Sequence, residues 1–168
     1  MIYLDNAATT RPCAEAVAAV NDALTARWGN PSAVHRLGIE AARLLRTARQ
    51  DVAEAMGAET ERVFFTSGGT ESNNMALMGT AFGNERAGKH IISSNIEHAS
   101  VYNPLGMLAD HGYEITYLPV DEKGHISLKE LEEAIRPDTI LISIMYVNNE
   151  IGAVEPVEDI GALIRRKN

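Results

Sequence analysis

Apolar side chains recur along this chain with two periods, about 3.6 and about 2, and the switches between them mark out its elements. Ile2 to Leu4 read as a short extended piece, followed by a polar turn of small residues, Asp5 to Thr10. Pro12 suits the first turn of a helix carrying Val17, Val20 and Leu24. Trp28-Gly29-Asn30-Pro31 stops that helix. Ser32 is the expected cap of a second, long helix. Within it Leu37, Ala41, Leu44, Leu45, Ala48, Val52 and Ala55 fall at helical spacing as far as Met56, and Gly57 ends it. Val63-Phe64-Phe65 are β-branched and aromatic, as a buried strand requires. A glycine turn at Gly68-Gly69 leads into a helix through Met75, Ala76, Leu77 and Met78, with Thr70 or Ser67 as its cap. Both glycines are read as supplying backbone angles that a side chain would forbid.

The second half repeats this alternation. Lys89 to Ser94 predicts a strand, Asn95-Ile96-Glu97-His98 a loop, and Ala99 to His111 a helix closed by Gly112. Glu114 to Leu118 alternates polar and apolar residues, as a strand does. After the turn Asp121-Glu122-Lys123-Gly124, Ser127-Leu128-Lys129-Glu130 has the form of a capping box and opens a helix to Ile135. Ile140 to Tyr146 is nearly all apolar, as a central strand covered on both faces would be. Asn148 to Gly152 is a loop, and Pro156 starts a helix reaching Asn168.

Strands alternating with helices predict an α/β fold in three layers, a mostly parallel sheet flanked by helices. In such sheets ligands collect beyond the carboxyl ends of the strands. Three predicted strands end in polar loops there: Ser67 to Thr70, Asn95 to His98, and Asn148 to Glu150. If these loops are neighbours, a glycine-lined helix start, an imidazole and an amide line one crevice. The helix start suits a phosphate, through free N–H groups and the helix dipole; it suits an ordinary strand-to-helix turn equally well.

Composition narrows the class. A chain of 168 residues is sized for one domain with a core of its own. The net charge is −8, and the only basic run is Arg165-Arg166-Lys167, which argues against nucleic acid as a partner. The single cysteine, Cys13, permits neither an internal disulfide nor a cysteine-based metal cluster. No apolar run is long enough to cross a bilayer, and the first residues lack the pattern of a signal peptide, so the expected setting is cytoplasmic.

At its polar loops the chain resembles the cysteine desulfurases, pyridoxal-phosphate enzymes of the class V aminotransferase group. The resemblance is carried by Asp5 to Thr10, by Gly29-Asn30-Pro31-Ser32 with His35 and Gly38, by Thr66 to Asn74, by Glu97-His98-Ala99-Ser100-Val101 and by Val147 to Gly152. It implies fold type I of the pyridoxal-phosphate transferases. On this reading residues 1–168 are the amino-terminal helices and the first part of an incomplete large domain. It further implies that Gly69 and Thr70 bind the cofactor phosphate, that His98 stacks on the pyridine ring and moves protons, and that Asn149 donates to the ring hydroxyl. A histidine suits proton transfer because it titrates near neutral pH. Asn6 to Thr9 would lie near the mouth of the site, and His35 reads as structural, tying a loop to its long helix.

The same resemblance shows what the chain lacks. The family's Ser-x-His-Lys motif, whose lysine holds the cofactor, does not occur; the lysines here are Lys89, Lys123, Lys129 and Lys167. Cys13 does not match the family's catalytic cysteine, which lies on a loop far downstream. The implied activity is removal of sulfur from L-cysteine to give alanine and an enzyme persulfide. That sulfur would pass to acceptor or scaffold proteins of iron–sulfur or thio-cofactor assembly, from a homodimer. Selenocysteine lyase or another class V aminotransferase-like enzyme is the alternative within the group, and a non-catalytic interaction module the alternative of another class.

Overall fold

The computed structural model describes residues 2–167. The chain divides into two compact units, Met1–Phe65 and Thr66–Asn168. Among the described residues no helix is long and apolar enough to cross a membrane.

The first unit is helical. Helix α1 (Ala14–Thr25) begins just after Pro12 and buries none of its residues. Helix α2 (Arg36–Met56) starts later than expected. Its cap is His35, whose Nδ1 accepts the Gly38 N–H at 3.4 Å, and not Ser32. The side chain of Asn30 accepts the Ser32 N–H at 2.9 Å, which holds Ser32 in a turn ahead of the helix. Gly29 and Gly38 are demanded by close approach: a Cβ on either would overlap a backbone carbonyl, of Leu37 and of Ala33 respectively. Gly57 ends α2 in the left-handed region, with φ 63°.

A single 3-10 turn, Thr60–Arg62, follows. Val63 to Phe65 are then not the strand that their side chains predict. Among the described residues no strand lies beside them to supply ladder bonds. The Val63 carbonyl accepts from Arg49 Nε at 3.1 Å, and the Arg49 guanidinium sits 5.4 Å from the Phe65 ring centroid.

The second unit is a layered α/β structure. Helix α3 (Gly69–Gly83) is followed by β1 (His90–Ser94), α4 (Ala99–Asp110), β2 (Glu114–Leu118), α5 (Leu128–Ala134), β3 (Thr139–Ser143) and α6 (Val157–Lys167). The strands form a parallel sheet in the order β2-β1-β3. Successive strand residues point to opposite faces, so Ile91 and Ile92, both fully buried, anchor two separate cores. Ile91 packs with Leu77 and Ala81 of α3 and with Leu105 and Leu108 of α4. Ile92 packs with Leu131 of α5 and with Ile160 and Leu163 of α6. Each of these leucine and isoleucine side chains contributes on the order of 1.5–3 kcal/mol through area removed from water.

Strand β3 is shorter than its apolar run predicts, and it lies at the sheet edge, not the centre. It ends at Ser143 because the backbone beyond is claimed by loops. The Met145 N–H goes to the Glu97 carboxylate at 2.7 Å, and the Tyr146 carbonyl accepts the Glu155 N–H at 2.9 Å. The predicted end of α6 at Asn168 lies outside the described residues.

Candidate functional site

The parallel sheet directs its loops to one end. His98 follows β1, the Asn148–Asn149 loop follows β3, and the first turn of α3 lies beside the start of α4. Hydrogen bonds join the three. Asn73 of α3 donates to the Ser100 hydroxyl at 2.8 Å, and that hydroxyl lies 2.8 Å from His98 Nδ1. On the other side, Asn148 Nδ2 donates to the Ile96 carbonyl at 3.2 Å. These bonds tie α3 to the His98 cap of α4, and the Asn148 loop to the Ile96 segment, all within the second unit.

At the start of α3 the cap is Gly68, and no side chain caps the helix. The Thr70 and Ser67 hydroxyls, both expected as caps, do not fill that role. Ser67 instead donates its N–H and its hydroxyl to Glu71 Oε2, at 2.6 and 2.7 Å. These two bonds, the hydroxyl's first, hold the Glu71 carboxyl below its ordinary range. Thr66 Oγ1 pairs with Ser72 Oγ at 2.6 Å, closing the turn from the other side.

The result is a first turn whose N–H groups at Gly69, Thr70 and Glu71 stay unclaimed among the described residues. A Cβ added at Gly68 or Gly69 would meet nothing within 4 Å, so the ground in front of these groups is open. Neither glycine has positive φ in the left-handed range. Their expected role, permitting forbidden angles, is replaced by that of leaving room.

His98 caps α4 through its ring. Nδ1 accepts the Ser100 N–H at 3.0 Å. With Nδ1 an acceptor, the neutral ring carries its proton on Nε2. Asn149 is exposed, and its amide donates to Glu150 Oε1 at 3.0 Å. Asn148, passed over in the sequence, is the buried one of the pair. Its Oδ1 accepts the N–H groups of Glu150 and Ile151 at 2.9 and 3.1 Å. Of two adjacent asparagines, one builds the loop and the other is free to face a ligand. The only signal that could have separated them is Gly152, whose φ of 71° closes the turn on Asn148. Glu97, also passed over, is half-buried next to His98.

No lysine side chain bonds to these groups among the described residues. Lys89 precedes β1 at the amino end of the sheet and pairs with Glu85 at 2.8 Å. Lys129 pairs with Glu133 and Lys167 with Glu132, at 3.8 and 3.4 Å. Lys123 lies in an exposed turn after β2. Asn6 to Thr9 form a turn on the Asp5 carbonyl in the first unit.

Comparison with known proteins bears on this arrangement. The aminotransferase class-V family profile matches residues 2–168. A NifS/IcsS protein homolog of Lactobacillus delbrueckii subsp. bulgaricus is 46% identical over 164 residues, covering 98% of this chain and 43% of the relative. A cysteine desulfurase IscS of Methanosarcina thermophila is 48% identical over 164 residues, covering 98% of this chain and 41% of the relative. Among solved structures, a NifS-like protein superposes with a TM-score of 0.94 at 38% identity, over 99% of this chain and 46% of its own. SspA in complex with cysteine does so with a TM-score of 0.90 at 39% identity, over 98% and 48%. The chain spans less than half the length of each of these proteins.

Proposed function

The chain belongs to the aminotransferase class-V family, and on that premise we propose that the intact protein is a cytoplasmic cysteine desulfurase dependent on pyridoxal 5'-phosphate. The observation that supports this most is the open first turn of α3, joined to His98 through Asn73 and Ser100. A dianionic phosphate fits unclaimed N–H groups at a helix start, where the partial positive charge of the helix favours an anion. Gly69 and Thr70 would hold it with their N–H groups and the Thr70 hydroxyl. Asn149 would turn its amide from Glu150 to the cofactor's ring hydroxyl. His98 would present its proton at Nε2, since Nδ1 is engaged by Ser100.

When bound, pyridoxal phosphate supplies an electron sink for the substrate's carbon framework. The chain's own residues bind it at the phosphate end. None of the four lysines lies in the Ser-x-His-Lys sequence that holds the cofactor in the family, so that role, like that of the sulfur-accepting cysteine, falls to residues other than these. The substrate would be L-cysteine, released as alanine after its sulfur has passed to an enzyme thiol as a persulfide. Sulfur-acceptor or scaffold proteins would take it onward, and the active form would be a homodimer.

Thr70→Val in the intact protein tests the reading. The exposed hydroxyl makes no bond in the fold among the described residues, so the unfolding midpoint of the cofactor-free protein should not move. Retention of pyridoxal phosphate on dialysis should fall. Equal cofactor content in variant and parent would remove Thr70 from the site. Absence of alanine formation from L-cysteine in the loaded parent would overturn the activity itself.

A further inference from the structure

A neutral imidazole has two nitrogens and one proton between them, so whatever bonds one nitrogen decides what the other can offer. Two donors reach His98 Nδ1. The Ser100 backbone N–H lies at 3.0 Å and the Ser100 hydroxyl oxygen at 2.8 Å. The first bond fixes the sense of the second. A backbone N–H can only donate, so Nδ1 is the acceptor and carries no proton, and the hydroxyl beside it donates as well.

Ser100 is 8% exposed, and its hydroxyl has a single hydrogen. With that hydrogen given to Nδ1, the oxygen has only lone pairs left. The Asn73 amide meets it from α3 at 2.8 Å, with the donor Nδ2 foremost. Every link therefore points the same way, from Asn73 Nδ2 to Ser100 Oγ and from Ser100 Oγ to His98 Nδ1. An acceptor in place of the Asn73 amide would compete with Nδ1 for the one hydroxyl hydrogen. Asn73 stands one helical turn beyond Gly69 and Thr70, on their side of α3. His98 itself is exposed, and its Nε2 makes no hydrogen bond among the described residues.

We propose that Asn73 and Ser100 are positioning residues that hold the His98 ring in its Nε2-protonated tautomer, closing Nδ1 and leaving the Nε2–H as the group that a ligand meets. The two tautomers offer opposite chemistry at Nε2, a donor in one and an acceptor in the other, so the choice decides what the ring can do for a bound molecule. The chain of donors belongs to the cofactor-free protein; only its use in the reaction rests on the proposed desulfurase activity.

Nitrogen NMR of the cofactor-free intact protein, labelled in its histidines, reads the tautomer directly and needs no activity. At about pH 8.5, well above the ordinary histidine value of about 6.5, the parent's His98 should show a protonated Nε2 and a bare Nδ1. Ser100→Ala removes the hydroxyl donor and keeps the backbone one. The ratio of Nδ1- to Nε2-protonated ring should then rise by about two- to tenfold, the worth of one hydrogen bond. Asn73→Asp has nearly the same shape but only accepts. It draws the hydroxyl hydrogen to itself, turns a lone pair of Ser100 towards Nδ1, and should raise the ratio further. If Asn73 and Ser100 served only to pack α3 on α4, the variants would move the unfolding midpoint and leave the tautomer where it was.

With saturating pyridoxal phosphate, kcat for alanine formation should fall in both variants, and further in Asn73→Asp. A bare Nε2 in the parent, or the parent's ratio retained in either folded variant, would overturn the positioning chain. A moved ratio with unchanged kcat would overturn the part of the Nε2–H in the reaction. A loaded parent that forms no alanine would instead remove the desulfurase reading, while the tautomer ratios still decide the chain.

Discussion

Asn148 and Asn149 are chemically identical neighbours with opposite duties, and that contrast can be measured. Asn148 holds two backbone N–H groups and one carbonyl. Asn148→Ala would leave those groups short of partners, at a cost of about 2–3 kcal/mol. Asn149→Ala removes a single exposed contact to Glu150, so denaturant unfolding should hardly register it. If Asn149 has the ligand role proposed for it, cofactor retention should nevertheless fall. His98 allows a similar separation. It is both the cap of α4 and the proposed proton carrier. Asparagine is a good helix cap, so His98→Asn should keep most of the stability while abolishing alanine formation. His98→Ala should lose the activity and about 1 kcal/mol of stability as well. Equal stability of the two variants, measured by urea unfolding, would mean that the ring does no capping.

At the scale of elements, legibility in the sequence follows where an element's hydrogen bonds go. Strand β2 and the end of α2 were readable because their signals are local. Alternation over Glu114–Leu118 and a left-handed Gly57 need no distant partner to act. Gly57→Ala should accordingly cost about 1 kcal/mol from backbone conformation alone, since a Cβ there would touch nothing within 4 Å. A thermal midpoint unchanged by that substitution would contradict the left-handed cap. The failures were non-local. Val63 to Phe65 have strand residues but no strand beside them, and Arg49, fourteen residues back, takes the Val63 carbonyl. Ile144 to Tyr146 are apolar enough to extend β3, yet Glu97, nearly fifty residues earlier, takes the Met145 N–H. The end of the sheet that carries the polar loops was legible in outline, because a parallel sheet brings its loops to one end whatever their side chains. The hydrogen-bond network joining those loops was not, because Asn73, Ser100, Glu97 and Asn148 carry no periodic signal.

For the second unit as a whole, the sheet is tied across its width by one imidazole. His90 is fully buried in the central strand. Its Nδ1 meets Thr139 Oγ1 of β3 at 2.7 Å and its Nε2 meets Thr116 Oγ1 of β2 at 2.8 Å. Burial, and secondarily the Arg136 charge, push its pKa below the ordinary histidine value. A histidine lowered in this way stabilises the fold fully above its unfolded pKa of about 6.5, and that contribution is lost as pH falls through the lowered folded value. Acid therefore acts on the sheet itself. Replacing Thr116 by valine keeps the volume but leaves Nε2 buried without a partner, at a cost of about 1–3 kcal/mol. His90→Gln cannot titrate, so it should remove this part of the acid slope below about pH 6.5. Because the imidazole spans all three strands, the loss should appear as one cooperative shift of the second unit's unfolding. Amide hydrogens of β1, β2 and β3 should lose protection together in Thr116→Val; loss confined to β2 would show that the ring bonds each neighbour separately and does not tie the sheet.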